Sequence, residues 1–222
     1  MLRKKGEGII VSCQAHTNEP LHGPHFMGQM AIAAEQGGAI GIRACGISDI
    51  AYIKQCVDIP VIGILKKHYE NFKPVITPTL DDALAVAYAG ADIIAIDCTT
   101  NDRPDGRGLK ETIARIKSKT DCKVMADIAT LEEGKYAFAC GADYIATTLF
   151  GFTKETKGYK APGFSLMKQL VANIPIPIIA EGGIAYPSQA KQAFEIGVSW
   201  VVVGTAITRP QNITESFVKS VY

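Results

Sequence analysis

Glycine, then a small residue, then an apolar run recurs at Gly38-Ala-Ile-Gly-Ile, Gly90-Ala-Asp-Ile-Ile-Ala-Ile, Gly141-Ala-Asp-Tyr-Ile-Ala and Gly197-Val-Ser-Trp-Val-Val-Val, about 50 residues apart. Self-similarity at a fixed period marks repeated supersecondary units. Glycine just past a helix takes the left-handed backbone that other residues resist, so each instance predicts a helix end followed by a strand. Four further strand candidates fall between them: Gly8–Cys13, Pro60–Leu65, Lys123–Ala126 and Pro177–Ala180. All are short, continuous and rich in β-branched residues, which suits parallel strands buried on both faces. Helix starts are expected at Ser48, Thr79, Thr130 and Pro187.

Eight strands alternating with eight helices make an α/β chain. A (β/α)8 TIM barrel is the economical closure, and a doubly wound open sheet is the alternative. At 222 residues the chain fits one such barrel with short loops, so residues 1–222 are expected to form a single domain. Two longer connections, Lys67–Pro74 and Leu149–Pro162, are candidates to cover a site.

Composition narrows the function. A net charge of +1 gives no reason to expect nucleic acid as the main partner, and Arg3-Lys4-Lys5 reads as solvated terminal charge. No apolar run approaches the ~20 residues of a membrane span, and the first residues lack an apolar signal core. Six cysteines show no Cys-x-x-Cys, which suits reduced thiols and a cytoplasmic location. His16, His22, His25 and His68 lack metal-site spacing, so no metal is expected. Met27 and Met30, at helical spacing, read as core. With no G-x-G-x-x-G or P-loop pattern, no nucleotide cofactor is expected either.

In a parallel barrel the chemistry gathers at the carboxyl ends of the strands. The first polar residues there are Gln14, Arg43, Lys66, Asp97, Asp127, Thr147-Thr148, Glu181 and Gly204-Thr205. Lys66 and Glu181 stand out because neither type is a favoured helix N-cap, whereas Asp97 serves a cap as readily as a site. The last two strands end in Glu181-Gly182-Gly183-Ile and Val203-Gly204-Thr205-Ala-Ile. Glycine there admits a ligand close to the backbone, and a short following helix offers free N–H groups to an anion. A phosphate site in the loops after strands seven and eight is the recurrent arrangement of this barrel, here of ribulose-phosphate-binding type. Arg209 adds a charged donor nearby.

Taken together, these pieces resemble the N-acetylmannosamine-6-phosphate 2-epimerase family. The resemblance rests on Ser12-Cys13-Gln14-Ala15, Glu19-Pro-Leu-His22, Gly41-Ile-Arg43-Ala44, Ile76-Thr-Pro-Thr79, Met125-Ala-Asp127-Ile, Thr147-Thr-Leu, Ala180-Glu-Gly182 and Ala206-Ile-Thr-Arg209-Pro210. It implies a cofactor-independent isomerase of sialic acid breakdown that interconverts N-acetylmannosamine 6-phosphate and N-acetylglucosamine 6-phosphate. Lys66 and Glu181 would be its catalytic pair. Gln14, Arg43, Asp127, Thr148 and Arg209 would hold the sugar, with the phosphate on Gly182, Gly183, Gly204 and Thr205. A homodimer is implied as well. Two departures stand out: Thr205 where the family often has glycine, and Phe152 where it usually has tyrosine.

The chemistry suits such a pair. C2 of the ring-opened sugar lies beside the C1 aldehyde, so its proton is removable. Inversion needs one group on each face. Glu181 is the natural base at neutral pH, while Lys66 needs desolvation or a cationic neighbour such as Arg43 to share the work. Arg43, Gln14 and a backbone N–H are candidates to stabilise the oxyanion, and Asp127 to orient Lys66 or assist ring opening. Two rivals stand beside this reading: a Schiff-base lyase using Lys66, and a binding protein that kept the pocket without the chemistry.

Overall fold

The computed structural model describes residues 8–221, so Arg3-Lys4-Lys5 lies outside the described residues. Its eight strands are β1 (Ile9–Cys13), β2 (Gly41–Cys45), β3 (Val61–Ile64), β4 (Ile93–Asp97), β5 (Lys123–Asp127), β6 (Tyr144–Ala146), β7 (Ile178–Ala180) and β8 (Trp200–Val203). They pair in parallel in sequence order, and β1 closes on β8 through Ile9–Val201, Ile10–Val202 and Val11–Val203. Closure removes both sheet edges and excludes the open doubly wound alternative.

The helices are α1 (Pro24–Gln36), α2 (Ile47–Cys56), α3 (Leu80–Tyr88), α4 (Leu109–Lys119), α5 (Leu131–Ala139), α6 (Phe164–Asn173), α7 (Pro187–Ile196), α8 (Thr205–Thr208) and α9 (Pro210–Val221). The repeated glycines behave as the sequence predicts: Gly38, Gly90, Gly141 and Gly197 have φ of 91°, 100°, 98° and 103°. Thr79 and Thr130 cap α3 and α5 with reciprocal bonds to Asp82 and Glu133, and Pro187 opens α7. Ser48 lies inside the first turn of α2, with Gly46 at its cap. The eighth helical position is not one helix but two, because Pro210 has no N–H to continue the turn begun at Thr205.

Two apolar layers follow from the two-residue period of each strand. Ile62, Ile64, Ile93, Met125, Tyr144, Ile179, Trp200 and Val202 fill the barrel interior, where Tyr144 meets Trp200 edge to face at 5.4 Å. Val61, Ile94, Val124, Ala180 and Val201 point outward under the helices. Met27 is fully buried and Met30 packs against this outer layer. Covering both faces explains why the strands read as unbroken apolar runs.

Candidate active site

The same alternation builds the site. Ile42 and Ala44 face outward, so Arg43 between them faces the barrel axis. Met125 and Ile179 face inward, and two residues on stand Asp127 and Glu181. Lys66 follows the inward Ile64 by the same step, and Gln14 follows Ser12. Five side chains far apart in sequence therefore face the barrel axis toward its carboxyl end.

A cavity of about 550 Å³ opens there, within the size range of small-molecule sites. Lys66 and Glu181 both line it, with Ser12, Gln14, Thr148 and Phe152 around them. Gly182, Gly183, Gly204, Thr205 and Arg209 form its other wall. The first N–H groups of α8 have no acceptor within the helix. Gly183 has φ 70° and packs so tightly that an added Cβ would lie 2.5 Å from Ala161 Cβ. Of the two long connections, Leu149–Pro162 reaches the cavity through Phe152, whereas Lys67–Pro74 contributes none of its lining.

Arg43 and Asp127, expected to hold the sugar, are engaged with one another beside the cavity. They lie outside the cavity lining, 1% and 0% exposed, and bind one another. Arg43 Nη2 donates to Asp127 Oδ2 at 2.5 Å, and Nη1 donates to Asp127 Oδ1 at 3.0 Å. Nη1 also donates to Glu181 Oε2 at 2.5 Å. Thr148 Oγ1 donates to Asp127 Oδ1 at 2.6 Å. Asp127 is thus committed to Arg43 and Thr148 rather than to Lys66, and Lys66 stands exposed on the cavity wall.

Glu181 is held at both ends. Its N–H donates to Thr147 Oγ1 at 3.0 Å, and Thr147 Oγ1 donates to the Glu181 carbonyl at 2.9 Å. Burial pushes its carboxyl up to about 7, against the pull of Arg43 and with the Asp127 charge adding to the rise. A carboxylate held near neutrality suits proton transfer. Gln14 Nε2 donates to Ser12 Oγ at 2.8 Å, while its buried Oε1 has no partner among the described residues. That acceptor is open to a ligand donor.

Asp97 is neither cap nor cavity wall; it accepts from Thr99 N and Oγ1 at 2.9 and 2.6 Å. Glu19 carried no role in the sequence reading, yet its Oε1 stands 3.5 Å from Arg209 Nη1. Glu19 lies in the loop after β1 and gives no periodic signal. Tyr186, Asn212 and Ser216 also reach the cavity unannounced, because their places depend on how loops and α9 lie. Among the described residues no group of three His, Cys, Asp or Glu side chains gathers at metal-binding geometry.

A closed parallel barrel with its cavity at the carboxyl ends defines a TIM-barrel protein of the enzyme-bearing kind. Residues 27–222 match the family described as "Putative N-acetylmannosamine-6-phosphate epimerase", and the chain belongs to that family. A relative from Caldanaerobacter subterraneus subsp. tengcongensis, described as "Putative N-acetylmannosamine-6-phosphate 2-epimerase", is 50% identical over 219 residues, covering 98% of this chain and 92% of its own. One of the same description from Clostridioides difficile is 48% identical over 221 residues, covering 100% and 99%. The solved N-acetylmannosamine-6-phosphate 2-epimerase of Clostridium perfringens superposes with a TM-score of 0.92 at 43% identity, covering 96% of this chain and 92% of that one. Thiamine phosphate pyrophosphorylase from Pyrococcus furiosus, at 18% identity and TM-score 0.64, shares the fold alone.

Proposed function

We propose that this chain epimerises N-acetylmannosamine 6-phosphate and N-acetylglucosamine 6-phosphate at C2 without a cofactor, in the breakdown of sialic acid. The observation that carries the reading is one cavity holding Lys66 and Glu181 on its walls beside the Gly182–Gly183, Gly204–Thr205 and Arg209 surface. The phosphate sits on that glycine surface and the α8 N-terminus, with Arg209 and the Thr205 hydroxyl as donors. Gln14 Oε1 accepts from a sugar N–H or hydroxyl. Phe152, where a tyrosine was usual, offers its ring face without a hydroxyl.

In the ring-opened sugar one of the pair removes the C2 proton, and the electron pair moves toward C1 to give an enolate. The other returns a proton to C2 from the opposite face, and the C1 carbonyl re-forms. Charge on O1 is met by donors at the cavity wall. Arg43 and Asp127 act from below, fixing the Glu181 carboxylate rather than touching the sugar. Residues 1–222 work as one domain in this reading, since β1 and β8 together complete the wall. Among the described residues no helix is long and apolar enough to cross a membrane, and every described cysteine is free. Both fit a small-metabolite enzyme of the reducing cytoplasm.

The purified protein in heavy water, followed by NMR, tests the scheme. N-acetylmannosamine 6-phosphate should convert to its C2 epimer with deuterium entering at C2. Absence of conversion would remove the function. Conversion with no deuterium at C2 would count against solvent-exchanging acid/base groups.

We further propose a homodimer. Helix α9 buries none of its residues, and Phe217, Val218 and Val221 are 69%, 51% and 73% exposed. Between α7 and α8 lies an apolar slot of about 610 Å³ walled by Pro187, Ala190, Phe194, Val203 and Ile207. A second copy covering these surfaces would take their apolar side chains out of water. Light scattering should give twice the 23.8 kDa chain mass, and Phe217→Glu should shift it toward one. A wild-type mass of one chain rejects the dimer.

A further inference from the structure

Lys66 does not sit in a free loop. Residues Val75–Thr77 fold back antiparallel to Leu65–Lys67, with Lys66 opposite Ile76. Thr77 N donates to Leu65 O at 2.8 Å, and Lys67 N donates to Val75 O at 3.0 Å. Thr77 Oγ1 in turn accepts from Leu65 N at 3.2 Å. Backbone bonds therefore grip the residues on both sides of Lys66.

The grip depends on a strained residue. Thr77 is fully buried and has φ 46°, a left-handed conformation that a β-branched side chain resists. Such a conformation persists only where neighbours over-determine it. Leu65 holds Thr77 from one side, and from the other stands Arg103, 6% exposed, whose Nη2 donates to Thr77 O at 3.2 Å and whose Nη1 donates to Asp97 O at 2.6 Å. Asp97 N donates to Ile76 O at 2.9 Å, completing a ring from the end of β4 to the strip beside Lys66. Arg103 donates to two backbone carbonyls beside the Asp97 charge, and its Nε has no partner among the described residues. A guanidinium is a large cation to bury merely to close a loop.

We propose that Arg103 is a positioning residue for Lys66: it ties Thr77 O to Asp97 O and so holds the strained turn that sets where Lys66 stands on the cavity wall. This rests on the reading in which Lys66 moves a proton at C2. Arg103 itself does not line the cavity, so its removal should act on the chemical step rather than on substrate binding.

The test compares wild type, Arg103→Ala, Arg103→Lys and Lys66→Ala as full-length proteins, with N-acetylmannosamine 6-phosphate as substrate and rates expressed per folded molecule. Arg103→Ala should lower kcat by about 10²-fold, the loss expected of a displacement near 1 Å, with KM little changed. Guanidinium ion at sub-denaturing concentration should restore part of that kcat. Arg103→Lys, which keeps the charge but not the fork, should also lose kcat at constant KM, and it carries the test if the alanine variant does not fold. A normal kcat per folded molecule, or a raised KM with kcat intact, overturns the proposal while an inactive Lys66→Ala leaves the catalytic reading standing. An active Lys66→Ala overturns both.

Discussion

Glu181→Gln is expected to lower epimerase turnover by roughly 10²–10⁴-fold, the range for loss of a general acid/base, while the barrel stays folded. Lys66→Ala should fall as far, since inversion needs a group on each face of C2. Retention of the fold has a specific reason. The amide has the shape of the neutral carboxylic acid, the form that burial already favours at Glu181, and the Arg43–Asp127 pair is left intact. The wild type should also show kcat/KM rising with pH through a limb near 7, because Glu181 is a base only after losing the proton that burial holds up to about 7. Asp127→Asn should move that limb to lower pH: it removes a negative charge that raises the Glu181 value, while burial and the attraction of Arg43 both remain. A pH-rate profile of both proteins checks the sign. Near-normal turnover by Glu181→Gln would remove it from the chemistry, whatever the shape of the curve.

The second large effect is on stability. Arg43→Met should destabilise the protein by about 3–5 kcal/mol, since removing one partner of a buried pair strands a charge. Asp127 is 0% exposed, and its carboxylate would lose both bonds from Arg43. Glu181 would lose its guanidinium as well. Against a typical total of ~5–15 kcal/mol, such a loss is visible in any urea melt. Adding Asp127→Asn to Arg43→Met should recover part of it, because a neutral amide removes the buried charge while Thr148 still bonds the side chain. A melt of Arg43→Met that overlays the wild type would mean that the triad contributes nothing net to stability.

These two predictions separate what was legible in the sequence from what was not. Arg43, Lys66, Asp127 and Glu181 were all visible as polar residues at or near strand ends, but their grouping was only half visible. Lys66 and Glu181 share the cavity as the strand-end argument implied. Arg43 and Asp127 are drawn below it by their own ion pair, because two charges buried in one layer are stable only when matched. Thr205 and Phe152, flagged as departures, both face the cavity. Arg103 was not visible at all, since its partners are carbonyls and carbonyls carry no residue-type signal.

By itself the sequence determined the eightfold alternation of strands and helices, its strand ends and most of its helix ends. Those are set within a few residues by strand alternation, capping boxes and left-handed glycines, and each is a local free-energy preference. Only closure of the ring decided that Arg43 would meet Asp127 84 positions away and Glu181 138 positions away. The same closure decided how far burial would raise Glu181, where the strip beside Lys66 would be pinned, and that α9 would leave its apolar side uncovered. Desolvation and charge pairing depend on everything within a few ångströms, and no stretch of chain specifies its surroundings before it is folded.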